Sequence, residues 1–362
     1  MIDDVLRDRL GEAARERARA FEPAVIARHY ERLFDDLRAA NRPSLLGRLR
    51  SALHRAEPAV PEQQQRPTKT AAESTPVTAP QALAYTRALP HGALRIRFAA
   101  ETLPAGPLDL VVRLRKDPKG REVRLPLPEV TADDITDPHI TLPSGAALAE
   151  GRWDCYAALR GTTTAADRVR LTAALTEQAA LVGRHPITSR NGVSACIPYT
   201  TSDGYLALRT WHRPAHAEIH RITVDRTYAT IAATLLGPDI DTDLTAATVV
   251  AVSRTAPEHD VTTVVTQIAD AGFEFTVDYN DMLAHREVEH DLWDLRLRLD
   301  SPGDATIPIG RIGGDVVDRK KTDKTPATYL PHPKRGMTRI TPFFTVANNL
   351  ALSAKDIPEP TG

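Results

Sequence analysis

Residues 150–160 read Glu-Gly-Arg-Trp-Asp-Cys-Tyr-Ala-Ala-Leu-Arg, and residues 290–299 read His-Asp-Leu-Trp-Asp-Leu-Arg-Leu-Arg-Leu. Both set a Trp-Asp pair ahead of a strand-like run, and Trp153 and Trp293 lie 140 positions apart. A second pair of segments has a similar offset, 144: Ile197-Pro198-Tyr199-Thr200 leading to Leu206-Ala207-Leu208, against Thr341-Pro342-Phe343-Phe344 leading to Leu350-Ala351-Leu352. Two anchors at nearly one offset mark a duplicated module. The expected modules are residues 83–225 and 226–355, followed by a short tail, 356–362, with Pro358, Pro360 and Gly362.

Around these anchors the dominant period is two. Leu94, Ile96 and Phe98 alternate with Arg95 and Arg97, and Leu295, Leu297 and Leu299 alternate with Arg296 and Arg298, which is the pattern of half-buried strands. Turn sequences such as Asp117-Pro118-Lys119-Gly120 and Ser301-Pro302-Gly303-Asp304 separate them, at spacings that suit antiparallel sandwiches. The fold class expected is mainly β: two tandem immunoglobulin-like antiparallel β-sandwiches, preceded by an α-helical segment and a disordered linker.

The helical segment is residues 1–55. Leu6, Leu10, Ala13, Ala14 and Phe21 recur at helical spacing, and after Pro23 a second stripe runs through Val25, Ile26, Tyr30, Leu33, Phe34 and Leu37. Two helices of this size cannot bury two such faces against each other alone. Residues 42–55, Arg-Pro-Ser-Leu-Leu-Gly-Arg-Leu-Arg-Ser-Ala-Leu-His-Arg, form a basic amphipathic pattern that suits an anionic membrane surface as well as a continuation of the helical tail. Residues 56–82 turn to Pro, Gln, Thr and Ala, the composition of a linker.

The 362 residues carry 46 Lys and Arg against 47 Asp and Glu, a net charge of -1, so nothing pulls the chain as a whole towards nucleic acid. Cys155 and Cys196 are too few for a disulfide framework, the N-terminus lacks a signal-peptide core, and no apolar run reaches membrane-spanning length. The expected location is the cytoplasm, with contact at the inner face of the membrane through residues 42–55.

Residues 2–18, with Asp3, Leu6, Arg7, Leu10, Gly11, Ala14 and Arg15, and residues 21–34, with Ala27, Tyr30, Leu33 and Phe34, resemble the last two helices of family 4 retaining glycosyltransferases of the GT-B fold. The resemblance covers about 40 residues and carries no catalytic group, because that family's nucleotide-sugar contacts and paired glutamates lie upstream of this tail. It implies that Met1 is an internal or shifted start and that a GT-B catalytic domain stands in cis or trans. The β region is similar to the accessory sandwiches of teichoic-acid-type polymer synthases through the paired Trp-Asp strands alone. Together these imply a non-catalytic accessory portion of a glycosyltransferase of cell-envelope polymer synthesis, its sandwiches binding a glycan, a polyol-phosphate polymer or a partner. The alternative is a stand-alone carbohydrate-binding or interaction protein, and sugar hydrolysis within the sandwiches ranks behind both.

No catalytic constellation, cofactor or metal site is expected: there is no Gly-x-Ser-x-Gly elbow and no glycine-rich phosphate loop. His216, Glu218 and His220 alternate as zinc ligands could, but their run continues into Ile222 and Val224 like a strand entering its core. Asp239, Asp241 and Asp243 open like a calcium loop and then place Leu244 and Val250 where glycine and glutamate are needed. Trp153 and Trp293 read as core. Trp211, which has no counterpart in the second repeat, is the better sugar-stacking candidate, with His212 beside it. Arg319, Lys320, Lys321, Lys334 and Arg335 are the candidate phosphate contacts, expected within one basic loop between strands.

Overall fold

The computed structural model describes residues 82–128, 138–146, 148–238, 243–269, 271–284, 286–299 and 306–358, all within one compact unit, residues 76–362. The expected helical segment, the linker up to residue 81, and the Asp239-Asp241 end of the calcium-like loop lie outside the described residues, and the linker's last residue, Ala82, opens the first strand.

The first sandwich is built from β1 (Ala82–Ala88), β2 (Leu94–Phe98), β3 (Leu108–Leu114), β4 (Glu122–Pro126), β5 (His139–Leu142), β6 (Gly151–Leu159), β7 (Arg168–Glu177), β8 (Ile187–Ser189), β9 (Gly192–Thr200) and β10 (Leu206–Arg213). One layer runs β5-β2-β1-β7, and the other joins β4 and β3 to β6, β10, β9 and β8. The strand β7 serves both: Arg168–Arg170 pair antiparallel with β6, and Leu171–Glu177 pair parallel with β1. A strand that changes layer in this way closes a corner of the sandwich without leaving an edge there.

The second sandwich comprises β11 (His216–Val224), β12 (Tyr228–Leu236), β13 (Thr248–Ser253), β14 (Val261–Val264), β15 (Thr266–Ala269), β16 (Gly272–Asp278), β17 (His290–Arg298), β18 (Ile307–Gly310), β19 (Thr328–His332), β20 (Gly336–Phe344) and β21 (Leu350–Asp356), with short helices α1 (Tyr279–Ala284) and α2 (Arg319–Thr322). Its pairings follow the first scheme: β11 runs antiparallel to β12 and parallel to β18, β18 pairs β17, and β17 lies between β13 and β21. In that scheme β11 stands where β1 stands in the first sandwich. The first sheet therefore ends at Arg213, and the change of sheet falls at Pro214 rather than at the expected 225/226, because β11 spends its hydrogen bonds in the second sheet. The sheets are mixed rather than purely antiparallel, since each layer-changing strand, β7 or β18, runs parallel to the first strand of its module.

Alternation fills the cores. In β6 Trp153, Cys155 and Ala157 point inward while Arg152, Asp154 and Tyr156 stay half-buried on the outer face. Trp153 and Trp293 are both core residues, opposite Leu208 and Leu352 in the register of their sheets. The Trp153 indole N–H is satisfied by Ala149 O at 3.1 Å and Thr210 Oγ1 at 3.0 Å, as a buried indole requires.

Candidate functional site

The strand β10 departs from alternation, burying residues on both faces. The cause is a second surface laid across it. Trp211, 1% exposed, donates its indole N–H to Ala347 O at 3.0 Å. Arg209 and Arg213 reach Val346 O and Ala347 O on the same β20–β21 turn, and Arg209 lies 4.5 Å over the Trp211 ring. Trp211 belongs to one apolar cluster with Ile197, Leu181 and Ile312, the last of these from the second module. Its ring is thus packed between the sandwiches, where no sugar could stack on it. His212 remains exposed.

A chain of polar groups continues this junction. Glu150 accepts from Arg213 Nε at 3.0 Å and Nη2 at 2.9 Å. Arg213 Nη1 lies 3.0 Å from His216 Nδ1, and His216 Nε2 lies 3.0 Å from Glu218 Oε2. A guanidinium only donates, so Nδ1 accepts and the imidazole proton sits on Nε2, directed at the carboxylate. Glu218 also accepts the backbone N–H groups of Ile312 at 2.9 Å and Gly313 at 3.0 Å. Burial, reinforced by the Arg213 charge, lowers the His216 pKa against the pull of Glu218. Burial pushes Glu218 up, but His216 and the two amides outweigh it and hold the carboxyl below its ordinary value. The residues read as a zinc-like triplet are therefore divided: His216 and Glu218 form this internal stitch, while His220 is exposed and bonds Thr234 Oγ1 at 2.6 Å. Among the described residues no group of three or more His, Cys, Asp or Glu is placed to hold a metal ion.

The basic segment does not form one loop. Arg319, 4% exposed, is a structural group that donates to Arg311 O, Gly313 O and Asp323. Lys320 and Lys321 are exposed on α2, while Lys334 and Arg335 lie at the β19–β20 turn, beyond the five residues of β19. Those five residues span about 16 Å, so the two clusters cannot close on one phosphate. Arg335 is held by Asp356 and by Glu287 O, and it lines with Lys334, His259 and His332 an open cleft of about 750 Å³. Burial pushes both thiols up, Cys196 to about 12 and Cys155 further, so neither is a nucleophile.

Polar groups also converge on the outer face of the first module around β6. Arg115 grips both oxygens of Asp154 at 2.5 and 3.2 Å, and Arg170 joins from β7 at 2.7 Å. Burial raises the Asp154 pKa, but the hydrogen bond and charge of Arg115, with Arg170, outweigh it and leave the group below its ordinary value. Burial and the same carboxylate push Tyr156 up. Arg170 sits 4.3 Å over the Tyr205 ring, and Arg152 sits 5.9 Å from that of Tyr199. Arg168 and Arg124 pair with Glu122 at 3.0 and 2.9 Å. None of these residues was a site candidate from sequence, although Asp154 belongs to the repeated Trp-Asp pair and Arg152-x-Asp154-x-Tyr156 and Arg168-x-Arg170 stand at alternating positions of their strands; a strand carrying charge and aromatic rings on its outward side was the signal.

Fold and surface together define a two-module β-sandwich protein with an arginine- and tyrosine-lined sheet face. Solved structures with which it aligns include residues 217–571 of Staphylococcus aureus TarS, at 16% identity and a TM-score of 0.32 over 49% of this chain and 48% of that one. A longer TarS structure aligns at 16% identity and a TM-score of 0.30, over 49% of this chain and 30% of that one. A pullulanase complexed with maltotriose, from Anoxybacillus sp. LM18-11, aligns at 15% identity and a TM-score of 0.19, over 68% and 29%. The chain thus spans less than half the length of each of these structures, and at such TM-scores the likeness assigns no activity. No protein-family model matches the chain, and no curated protein does.

Proposed function

We propose that this chain is a non-catalytic accessory region of a glycosyltransferase of cell-envelope polymer synthesis, and that its first sandwich holds a teichoic-acid-like glycan or polyol-phosphate polymer on the face around β6. One observation carries the reading: Asp154 fixed between Arg115 and Arg170, with Arg170 over Tyr205, on a solvent-facing sheet. Guanidinium forks match phosphate oxygens in pairs, and tyrosine rings offer sugar carbons a flat apolar surface with a polar edge. Because the arginines are already ordered by Asp154 and Glu122, binding freezes few new rotamers. With their ion-pair partners counted, the seven arginines of this face, 113, 115, 124, 152, 160, 168 and 170, outnumber the four acids Asp109, Glu122, Asp154 and Asp318.

The GT-B-like pattern of residues 2–34 supports a catalytic domain in cis or trans, and the basic pattern of residues 42–55 supports work at the inner face of a membrane. Binding of the full chain to purified poly(glycerol phosphate) tests the reading, with uncharged dextran as control. Arg170→Gln combined with Tyr205→Ala is expected to weaken binding about tenfold or more, roughly 1.4 kcal/mol per decade, and salt should weaken the native protein steeply. Absence of binding by the native chain, or a double variant that binds equally well, would sink the assignment.

A further inference from the structure

A crevice of about 130 Å³ opens where the two sandwiches meet, lined among others by His185, His220, Arg311 and Asp315. This is room for several waters or one small polyatomic ion. The donors around it sort into spent and unspent groups. Arg184 of the lining turns its guanidinium to Leu89 O at 3.0 Å, Arg319 is spent on two carbonyls and Asp323, and Glu218 has both oxygens occupied by N–H donors.

What remains unspent comes from both modules. The His185 and His220 rings meet edge to face with centroids 5.5 Å apart. His220 commits only Nε2, to Thr234, and leaves Nδ1; His185 has no hydrogen-bond partner on its ring among the described residues, and the Arg311 guanidinium has no ion-pair partner there. Three positive or protonatable groups thus face one acid without a described partner, Asp315. The Arg311 guanidinium lines the same crevice as the two rings, and an anion among them would accept their N–H groups and offset the positive charge of Arg311.

We propose that this junction crevice binds an oxyanion, a phosphate group held by His185 from the first module and by His220 and Arg311 from the second. The crevice shares none of these three residues with the face around β6, so the inference stands whether or not that face binds polymer. Desolvation, then the neighbouring His185 and Arg311, lower the His220 pKa against a smaller pull from Glu218. Anion binding reverses that balance, so it takes up protons, and affinity rises as pH falls through the histidine range.

The test is titration of the full chain with inorganic phosphate, and separately with a short glycerol-phosphate oligomer, followed through the ring resonances of the histidines. Saturable shifts of both His185 and His220 are expected, tighter at pH 6 than at pH 8 for the oligomer, whose phosphodiester charge is constant over that range, with Arg311→Gln and His185→Gln each weakening binding about tenfold. Response to inorganic phosphate alone identifies a free-phosphate site, and response of the same rings to the oligomer identifies a chain-phosphate site; either supports the inference. Rings that respond to neither ligand, or an Arg311→Gln protein that binds as the native chain does, overturn it. Both substituted side chains are exposed, so loss of folding is not expected to obscure the result.

Discussion

Removing the Glu218 carboxylate should destabilise the second sandwich where it borders the first. The group is 5% exposed and accepts three N–H donors, from His216, Ile312 and Gly313, at 2.9–3.0 Å. Hydrogen bonds to a charged group contribute about 1.5–3 kcal/mol each, but the three share one desolvation cost and do not add. The better guide is the loss on breaking a buried pair by deleting one partner, about 3–5 kcal/mol, because the remaining donors stay buried without an acceptor. Glu218→Ala is therefore expected to cost about 3–5 kcal/mol. At about 2–4 °C per kcal/mol for a protein of this size class, the midpoint falls by about 6–20 °C. The lost bonds join β11 to the segment that carries Ile312 and Gly313, both within the second sandwich, so the loss should show as a lower urea midpoint followed by tryptophan fluorescence. Glu218→Gln, which keeps one acceptor oxygen and the volume, should lose less. Glu274→Ala is the control: its partner Arg221 is 66% exposed at 2.9 Å, so the pair is worth about 0–1 kcal/mol. If Glu218→Ala costs no more than Glu274→Ala, the fold does not depend on this carboxylate and the reasoning fails.

Trp211→Ala should cost about 3–5 kcal/mol by calorimetry, as expected for a large core side chain, while leaving binding to the β6 face unchanged where the protein remains folded; loss of polymer binding without loss of stability would restore Trp211 as a ligand contact. The pH dependence follows from His216, whose pKa in the folded chain lies below the ordinary 6.5. The unfolded chain then takes up the proton first, so stability is full above about pH 6.5 and falls as pH drops below it; His216→Gln should flatten that part of a urea-midpoint profile, and a native profile with no fall between about pH 7 and pH 5 would contradict the assigned protonation.

The strands could be read because their cause is local. In β17 the buried residues Leu295 and Leu297 alternate with Arg296 and Arg298 on half-exposed or exposed positions, and any residue pattern that puts one face in water leaves that trace. The pairing of layers was less accessible, since the parallel partnership of β1 with β7 joins Ala82 to Leu171 and nothing in either segment names the other. The same limit governs the junction. Glu218 meets Ile312 and Gly313 across 94 and 95 residues, and Gly313 is needed there because a Cβ would lie 2.9 Å from the Glu218 carboxylate and 2.6 Å from Arg184 O.

Trp211 shows why a missing repeat partner misleads. Its lack of a counterpart in the second module looked like a sign of a ligand, yet β10 is the strand of the first module that the second module covers. The last strand of the second module, β21, keeps half-buried and exposed positions at Ser353 and Lys355. An asymmetry between repeats therefore has two physical sources, a ligand or the neighbouring repeat, and the burial of both faces of β10 decides for the neighbour. Charge carried by alternation behaves in the opposite way. Arg152, Asp154 and Tyr156 stay half-buried on the outward side of β6, with Arg152 3.5 Å from Asp318 of the second module, so on the proposed reading a polymer would meet these outward side chains rather than those that break the repeat.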